Sequence, residues 1–239
     1  MGRPKGYIFS SSRGSSTPHY GSAYINSVEK HSGSCPCCDC HQKMQCASLG
    51  MSWWSVDLTT ACHVIFDTQE AQCTAVDVFY DDETSKSCGR MKTLKGVEVL
   101  ARNFEADSCK VRCVTHNEHL ALELQQVISK YNYKVWTVRN PPLRAVGRLC
   151  LIVSHPHGQA KKVTLGKVEA VQKFNSAKNR LIYSTDSCPG SSGGLVLALQ
   201  DDIGPGTEWL TWALWTSVHC SKAQGLNRNR SNCEIQLLT

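Results

Sequence analysis

From Tyr20 onward the apolar residues come in short bursts rich in β-branched and aromatic side chains, YGSAYI, WWSVDL, CHVIFD, TAVDVFY, VEVLARNF and KVRCV, separated by turn-forming clusters. Short strand-like runs punctuated in this way predict an antiparallel meander rather than βαβ units. One stretch departs from the pattern. In NEHLALELQQVISK, Asn117 to Lys130, residues Leu120, Leu124, Val127 and Ile128 share one face at helical spacing, which predicts a helix. Strand-like runs then resume with YKVWTV, RLCLIVSH, KKVTLGKVEAV, RLIYSTD, GLVLAL and WLTWALWTSVH. Two β-rich halves joined by a helical connector predict two antiparallel barrels with a cleft between them. The expected division is a flexible Gly/Ser/Arg/Pro-rich leader over 1–18, a first barrel over 19–116, a connector over 117–132 and a second barrel over 133–239. No internal repeat recurs at a fixed period.

Composition narrows the class. The 239 residues are 41% hydrophobic and 19% charged, enough to bury one large core or two small ones. The formal charge of +6 is spread along the chain without a Lys/Arg run or interleaved aromatics, so nothing singles out nucleic acid as a partner. The opening MGRPKGYIFSSSRG lacks the apolar core of a signal peptide, and Gly6 departs from the myristoylation pattern. No segment reaches the roughly 18 apolar residues of a membrane helix, so the expectation is a cytoplasmic protein with no membrane partner. In that compartment the 14 cysteines read as thiols or metal ligands rather than a disulfide framework.

The densest chemical signal is DSCPGSSGG, Asp186 to Gly194, set between the strand-like RLIYST and GLVLAL. A serine nucleophile needs its hydroxyl exposed on a tight turn whose backbone N–H groups converge where an oxyanion forms. Glycines permit both the turn and the close approach, which makes Ser192 the candidate nucleophile. A hydroxyl attacks only when a base takes its proton, so a histidine must come from elsewhere in the chain. Among nine histidines, His63 in TTACHV follows the strand-like WWSVDL, where a side chain projects from a strand end into a cleft.

These two segments, in this order, resemble the Thr-Ala-x-His and Gly-x-Ser-Gly-Gly motifs of chymotrypsin-like serine peptidases. LCLIVSHPHGQAKKVTLGKV and YGSAYI resemble segments of the HtrA-type branch. The resemblance implies an all-β fold of two antiparallel six-stranded barrels, a polypeptide substrate and no required cofactor. It also implies an acyl-enzyme mechanism, with the Gly190 and Ser192 amides as oxyanion hole. The family's third residue is an Asp opening a small-apolar strand, and Asp107 before SCKVRC is the counterpart. A competing register places His119, or Glu118, there, but both fall in the helical connector.

Two departures stand out. Residue 191 is Ser where zymogens of this kind carry Asp, and no Arg-Ile-Val-Gly-Gly activation site is present, so activation by that cleavage is not expected. Asp186 occupies the place of a pocket Asp that attracts basic side chains. His219, in Ser217-Val218-His219, resembles the His with which glutamate-specific members bind an acidic one. If both line one pocket they can pair, and a polar or acidic preference ranks slightly ahead. Cys188 and Cys220 resemble a family disulfide that a reducing compartment leaves open.

A second cluster precedes WWSVDL. His31, Cys35, Cys37, Cys38, Cys40, His41 and Cys46 lie within a short loop, and a structural zinc held by Cys35, Cys38, Cys40 (or His41) and Cys46 is the metal reading. The alternative is a loop of uncoordinated thiols. Two other functions stay open: a pseudo-peptidase that binds polypeptides in the cleft, and a zinc-dependent interaction module built on this loop.

Overall fold

A computed structural model describes residues 3–37, 52–139, 149–175, 178–202, 211–222 and 229–234. The first half builds one antiparallel sheet from β1 (Tyr24–Ser32), β2 (Ser52–Thr60), β3 (Ala75–Val78), β4 (Lys92–Asn103) and β5 (Ser108–Thr115), in the order β1-β2-β5-β4-β3. Two short helices, α1 (Thr68–Gln72) and α2 (Thr84–Ser87), sit in its connections. The second half is a closed barrel of β6 (Leu149–Ser154), β7 (Lys162–Asn175), β8 (Lys178–Tyr183), β9 (Leu195–Asp202), β10 (Thr211–Lys222) and β11 (Asn229–Glu234). This is the chymotrypsin-like all-β architecture. The second barrel has its six strands. The first sheet has five among the described residues, and 38–51, between β1 and β2, lies outside them.

The two cores are separate. Trp54, Val56, Leu58, Leu94, Val111 and Cys113 fill the first, and Cys150, Ile152, Leu181, Tyr183 and Val196 the second. β2 reads WWSVDL without polar alternation because it is central to its sheet; Trp53 to Val56 are all buried in succession.

The connector is a long helix, α3 (Glu118–Arg139), rather than a short one. Asn117 caps it by accepting the Leu120 amide (3.0 Å). Leu120, Ala121, Leu124 and Ile128 pack on the first core. Gln125 Nε2 donates to Val28 O (2.9 Å). The buried stripe centres on Ala121, Leu124 and Gln125, which leaves Val127 at its edge and 49% exposed.

The leader residues 3–19 run as successive turns against the first sheet. Arg3 anchors them. Its guanidinium, 1% exposed, forks onto Glu70 (Nε to Oε1 and Nη2 to Oε2, 2.7 Å each) and donates to Ile8 O, His63 O and Val64 O, which uses all five donors. A chain rich in Gly and Ser holds this course because one buried arginine ties it down. No described helix is long and apolar enough to cross a membrane.

Candidate active site

His63 follows β2 on a turn closed by Val64 N to Ala61 O (3.0 Å), and it is buried. Asp107 ends the β4–β5 turn, immediately before β5. Its carboxylate takes two bonds from one residue: the His63 amide donates to Oδ1 (3.0 Å), and His63 Nδ1 lies 2.6 Å from Oδ2. The Cys62 amide donates to the Asp107 carbonyl (3.1 Å), locking the two turns together. A carboxylate facing Nδ1 holds the imidazole proton there and leaves Nε2 as an acceptor, the tautomer a general base requires. Asp107 adopts φ +51, a left-handed conformation that Asp tolerates better than most residues and that recurs at functional positions. Glu118 and His119 start α3, where Glu118 pairs with exposed Lys30 (3.2 Å). Asp107, not either competitor, stands beside His63.

Directly behind the dyad, the neighbouring Cys62 thiol and burial push the Cys109 thiol well up. Cys62 Sγ donates to Ser108 O (2.9 Å). Cys113 and Cys150 are raised by burial to about 12 and about 11, so all three stay protonated as core thiols.

Ser192 sits at the tip of the turn before β9. Gly190 (φ +93) and Gly193 (φ +89) hold backbone conformations that side chains resist. A Cβ at 193 would lie 1.9 Å from Ser22 O, and one at 190 would lie 2.6 Å from His157 N. The Gly193 amide donates to His219 O (2.7 Å) and the His219 amide to Gly194 O (2.9 Å), so β10 braces the turn. Among the described residues, neither the Gly190 nor the Ser192 amide donates to a backbone carbonyl. The Ser192 hydroxyl donates to Cys220 O (3.4 Å) rather than to His63.

Contacts between the halves tie together the segments that carry these groups. Gly193 abuts Thr60, just before the His63 turn, and Cys220 Sγ donates to Ala106 O (3.5 Å), next to Asp107. Ser22 ties the halves. Its amide donates to Ser192 O and its hydroxyl to Gly190 O (2.7 Å each), while Oγ accepts the His155 amide (2.8 Å) and its carbonyl accepts Thr60 Oγ1 (2.7 Å). Sequence reasoning missed Ser22 as a site residue; its partners lie far along the chain, and no local motif marks it. The same holds for Ser154, whose Oγ donates to Ser191 Oγ (3.2 Å) at the position where zymogens of this class carry Asp.

The two pocket candidates separate. Asp186 is exposed, and its carbonyl accepts Thr164 Oγ1 (2.9 Å). His219 is buried with Nδ1 2.7 Å from the Tyr183 hydroxyl, and burial, with the nearby His63, lowers it to about 4. Its ring partner is Tyr183 rather than Asp186. Cys188 is exposed. Of the expected metal ligands, Cys35 is described and buried, whereas Cys38, Cys40, His41 and Cys46 lie outside the described residues.

An all-β chain of two halves, with a His–Asp pair on one and a glycine-framed serine on the other, has the design of a chymotrypsin-like peptidase. Residues 50–202 match the trypsin-like peptidase domain, and the chain belongs to that family of serine proteases, which act on polypeptides. Among solved structures it is similar to Deg5 (17% identity, 76% of this chain and 74% of that one, TM-score 0.42). It is also similar to an inactive form of the Rv3671c protease (14%, 80% and 82%, TM-score 0.41). A further inactive form of Rv3671c, from M. tuberculosis H37Rv, is similar as well (12%, 88% and 82%, TM-score 0.40). No curated protein sequence matches the chain significantly.

Proposed function

We propose that this chain is a serine endopeptidase working through an acyl-enzyme, with Ser192 as nucleophile, His63 as general base and acid, and Asp107 as the residue that orients the base. The observation that carries this is the double grip of one carboxylate on the His63 amide and Nδ1, an arrangement with no structural need for a histidine unless Nε2 has work to do. Ser192 Oγ attacks the peptide carbonyl and its proton passes to His63 Nε2. The Gly190 and Ser192 amides receive the oxyanion, and the imidazolium returns the proton to the leaving amine. Water then repeats the sequence on the ester. No cofactor enters.

A fluorophosphonate probe tests this on the whole protein: labelling is expected for the native chain and none for Ser192→Ala. Absence of labelling in the native chain favours the second reading, a pseudo-peptidase that holds polypeptides in the same cleft. The specific observation behind that reading is the Ser192 hydroxyl bonded to Cys220 O. Hydrogen bonds at catalytic serines often tighten only with substrate present, which keeps the enzymatic reading first.

For specificity we favour a polar or acidic side chain before the cut. In the tautomer in which His219 Nδ1 accepts from the Tyr183 hydroxyl, the ring proton sits on Nε2, a neutral donor suited to a carboxylate or amide, while Asp186 is exposed to solvent. A peptide library varied at that residue should show cleavage after Glu or Gln ahead of Arg; dominant cleavage after Arg would reverse the assignment.

A further inference from the structure

The first sheet brings one more set of reactive side chains together, at the edge away from the catalytic turns. β1 and β5 both pair antiparallel with β2, so they run in the same direction and finish at the same end of the sheet. The register shows it: Ser32, the last residue of β1, pairs with Ser52, and Thr115, the last of β5, with Trp54. Past β1 the chain turns at Gly33 (φ +90) and lays Cys35 and Cys37 down beside Trp53, Val97 and Val114. Past β5 comes His116.

The ligand atoms of Cys35, Cys37 and His116 lie within 4.8 Å of one another, and Cys37 Sγ is 3.8 Å from His116 Nε2. Bonds of about 2.3 Å to sulfur and 2.0 Å to nitrogen in a tetrahedron put neighbouring ligand atoms roughly 3.5–3.8 Å apart. One edge already has that length, and the longest separation closes with shifts of about half an ångström per side chain. The Cys37 amide points at Cys35 Sγ (3.5 Å), a donor that favours the thiolate form. Cys35 and Cys37 are buried, 1% and 8% exposed, against the apolar side chains of Trp53, Val97 and Val114. Among the described residues His31, a second imidazole nearby, is taken up by stacking on Trp53 and by Ser55 Oγ (2.8 Å).

We infer that Cys35, Cys37 and His116 form a structural zinc site that pins the chain leaving β1 to the junction of β5 and α3. Two soft thiolates and an imidazole select Zn²⁺ over Mg²⁺ or Ca²⁺. The two thiols release two protons on binding, so the dication is neutralised by two thiolates within the apolar pocket. The fourth tetrahedral position is left to water or a further thiolate. The assignment differs from the one drawn from spacing alone in two of its ligands, Cys37 and His116. His116 stands 79 residues beyond Cys37, a separation no local motif registers.

The test is metal content of the full chain purified under reducing conditions, followed by Co²⁺ titration of chelator-stripped protein. One zinc per chain is expected, with thiolate-to-cobalt charge transfer and tetrahedral d–d bands in the cobalt form. Cys37→Ser and His116→Ala should each lower bound zinc at least about fivefold, while the control Cys88→Ser leaves it unchanged. His116→Cys should keep the metal and strengthen the charge-transfer band, a gain that misfolding cannot produce. Zinc retained in full by both Cys37→Ser and His116→Ala would assign the metal to other thiols and overturn the site. So would reduced native protein that binds neither zinc nor cobalt.

Discussion

Asp107 concentrates three jobs in one side chain. It accepts from the His63 amide, faces Nδ1, and does so from a left-handed backbone that β-branched or bulky residues would not hold. Asn fits the same backbone and can still accept one bond. Its amide nitrogen, however, would donate to Nδ1 and force the proton to Nε2, the wrong tautomer for a base. Asp107→Asn is therefore expected to keep the fold and thermal stability while peptide hydrolysis falls by about 10⁴ in kcat. A loss below about tenfold would remove Asp107 from the proposed triad. Ser192 was legible in the sequence as a candidate because its turn demands glycines at particular places, and His63 because TTACHV follows a strand-like run and resembles a family motif. Asp107 was less so: SCKVRC departs from the family's small-apolar strand, the helical pattern of the connector was the sequence's one argument against Glu118 and His119, and the distance to His63 comes from the geometry.

Among the elements, the 190–194 turn is shaped less by its own sequence than by what presses on it. The glycines were readable, but the reason for Gly193 is Ser22 O, from the segment before β1, standing where a Cβ would go. Ser22 is buried and satisfies groups on three sides of the cleft. Ser22→Ala would leave Gly190 O and the His155 amide without their hydroxyl partner, at a cost of about 1–3 kcal/mol. Because those groups support the turn that carries Ser192 and the proposed oxyanion amides, fluorophosphonate labelling should slow alongside, whereas Ser12→Ala on the leader should change neither. If urea unfolding and labelling of Ser22→Ala match the native protein, the residue is a bystander. The leader shows the same limit of local reading. Its composition suggests flexibility, and the buried Arg3–Glu70 fork that anchors it joins residues 67 apart.

At the scale of the whole molecule, the two halves meet through backbone bonds around Ser22 and Gly193 and through Cys220 on Ala106, and His219 sits at that junction. Burial and the neighbouring His63 hold it neutral, with its proton affinity lowered to about 4, and Tyr183 occupies Nδ1. The unfolded chain binds the proton near the ordinary value of about 6.5, so below that pH unfolding takes up a proton that the native state refuses. Stability from this group is fully present above about 6.5 and erodes as pH falls, by about 1.4 kcal/mol per pH unit, until the native state also protonates near 4. The summed loss is about 3 kcal/mol, a large share of what holds a domain of this size folded. Urea unfolding at pH 7 and pH 4.5 should show it, and His219→Gln, which cannot take the proton, should flatten the difference by most of that amount. His155, also lowered by burial, contributes with the same sign, so a His155→Gln control is needed beside it. Equal pH dependence in the native protein and His219→Gln would mean that the imidazole is solvated, with the junction between the halves open to water at His219.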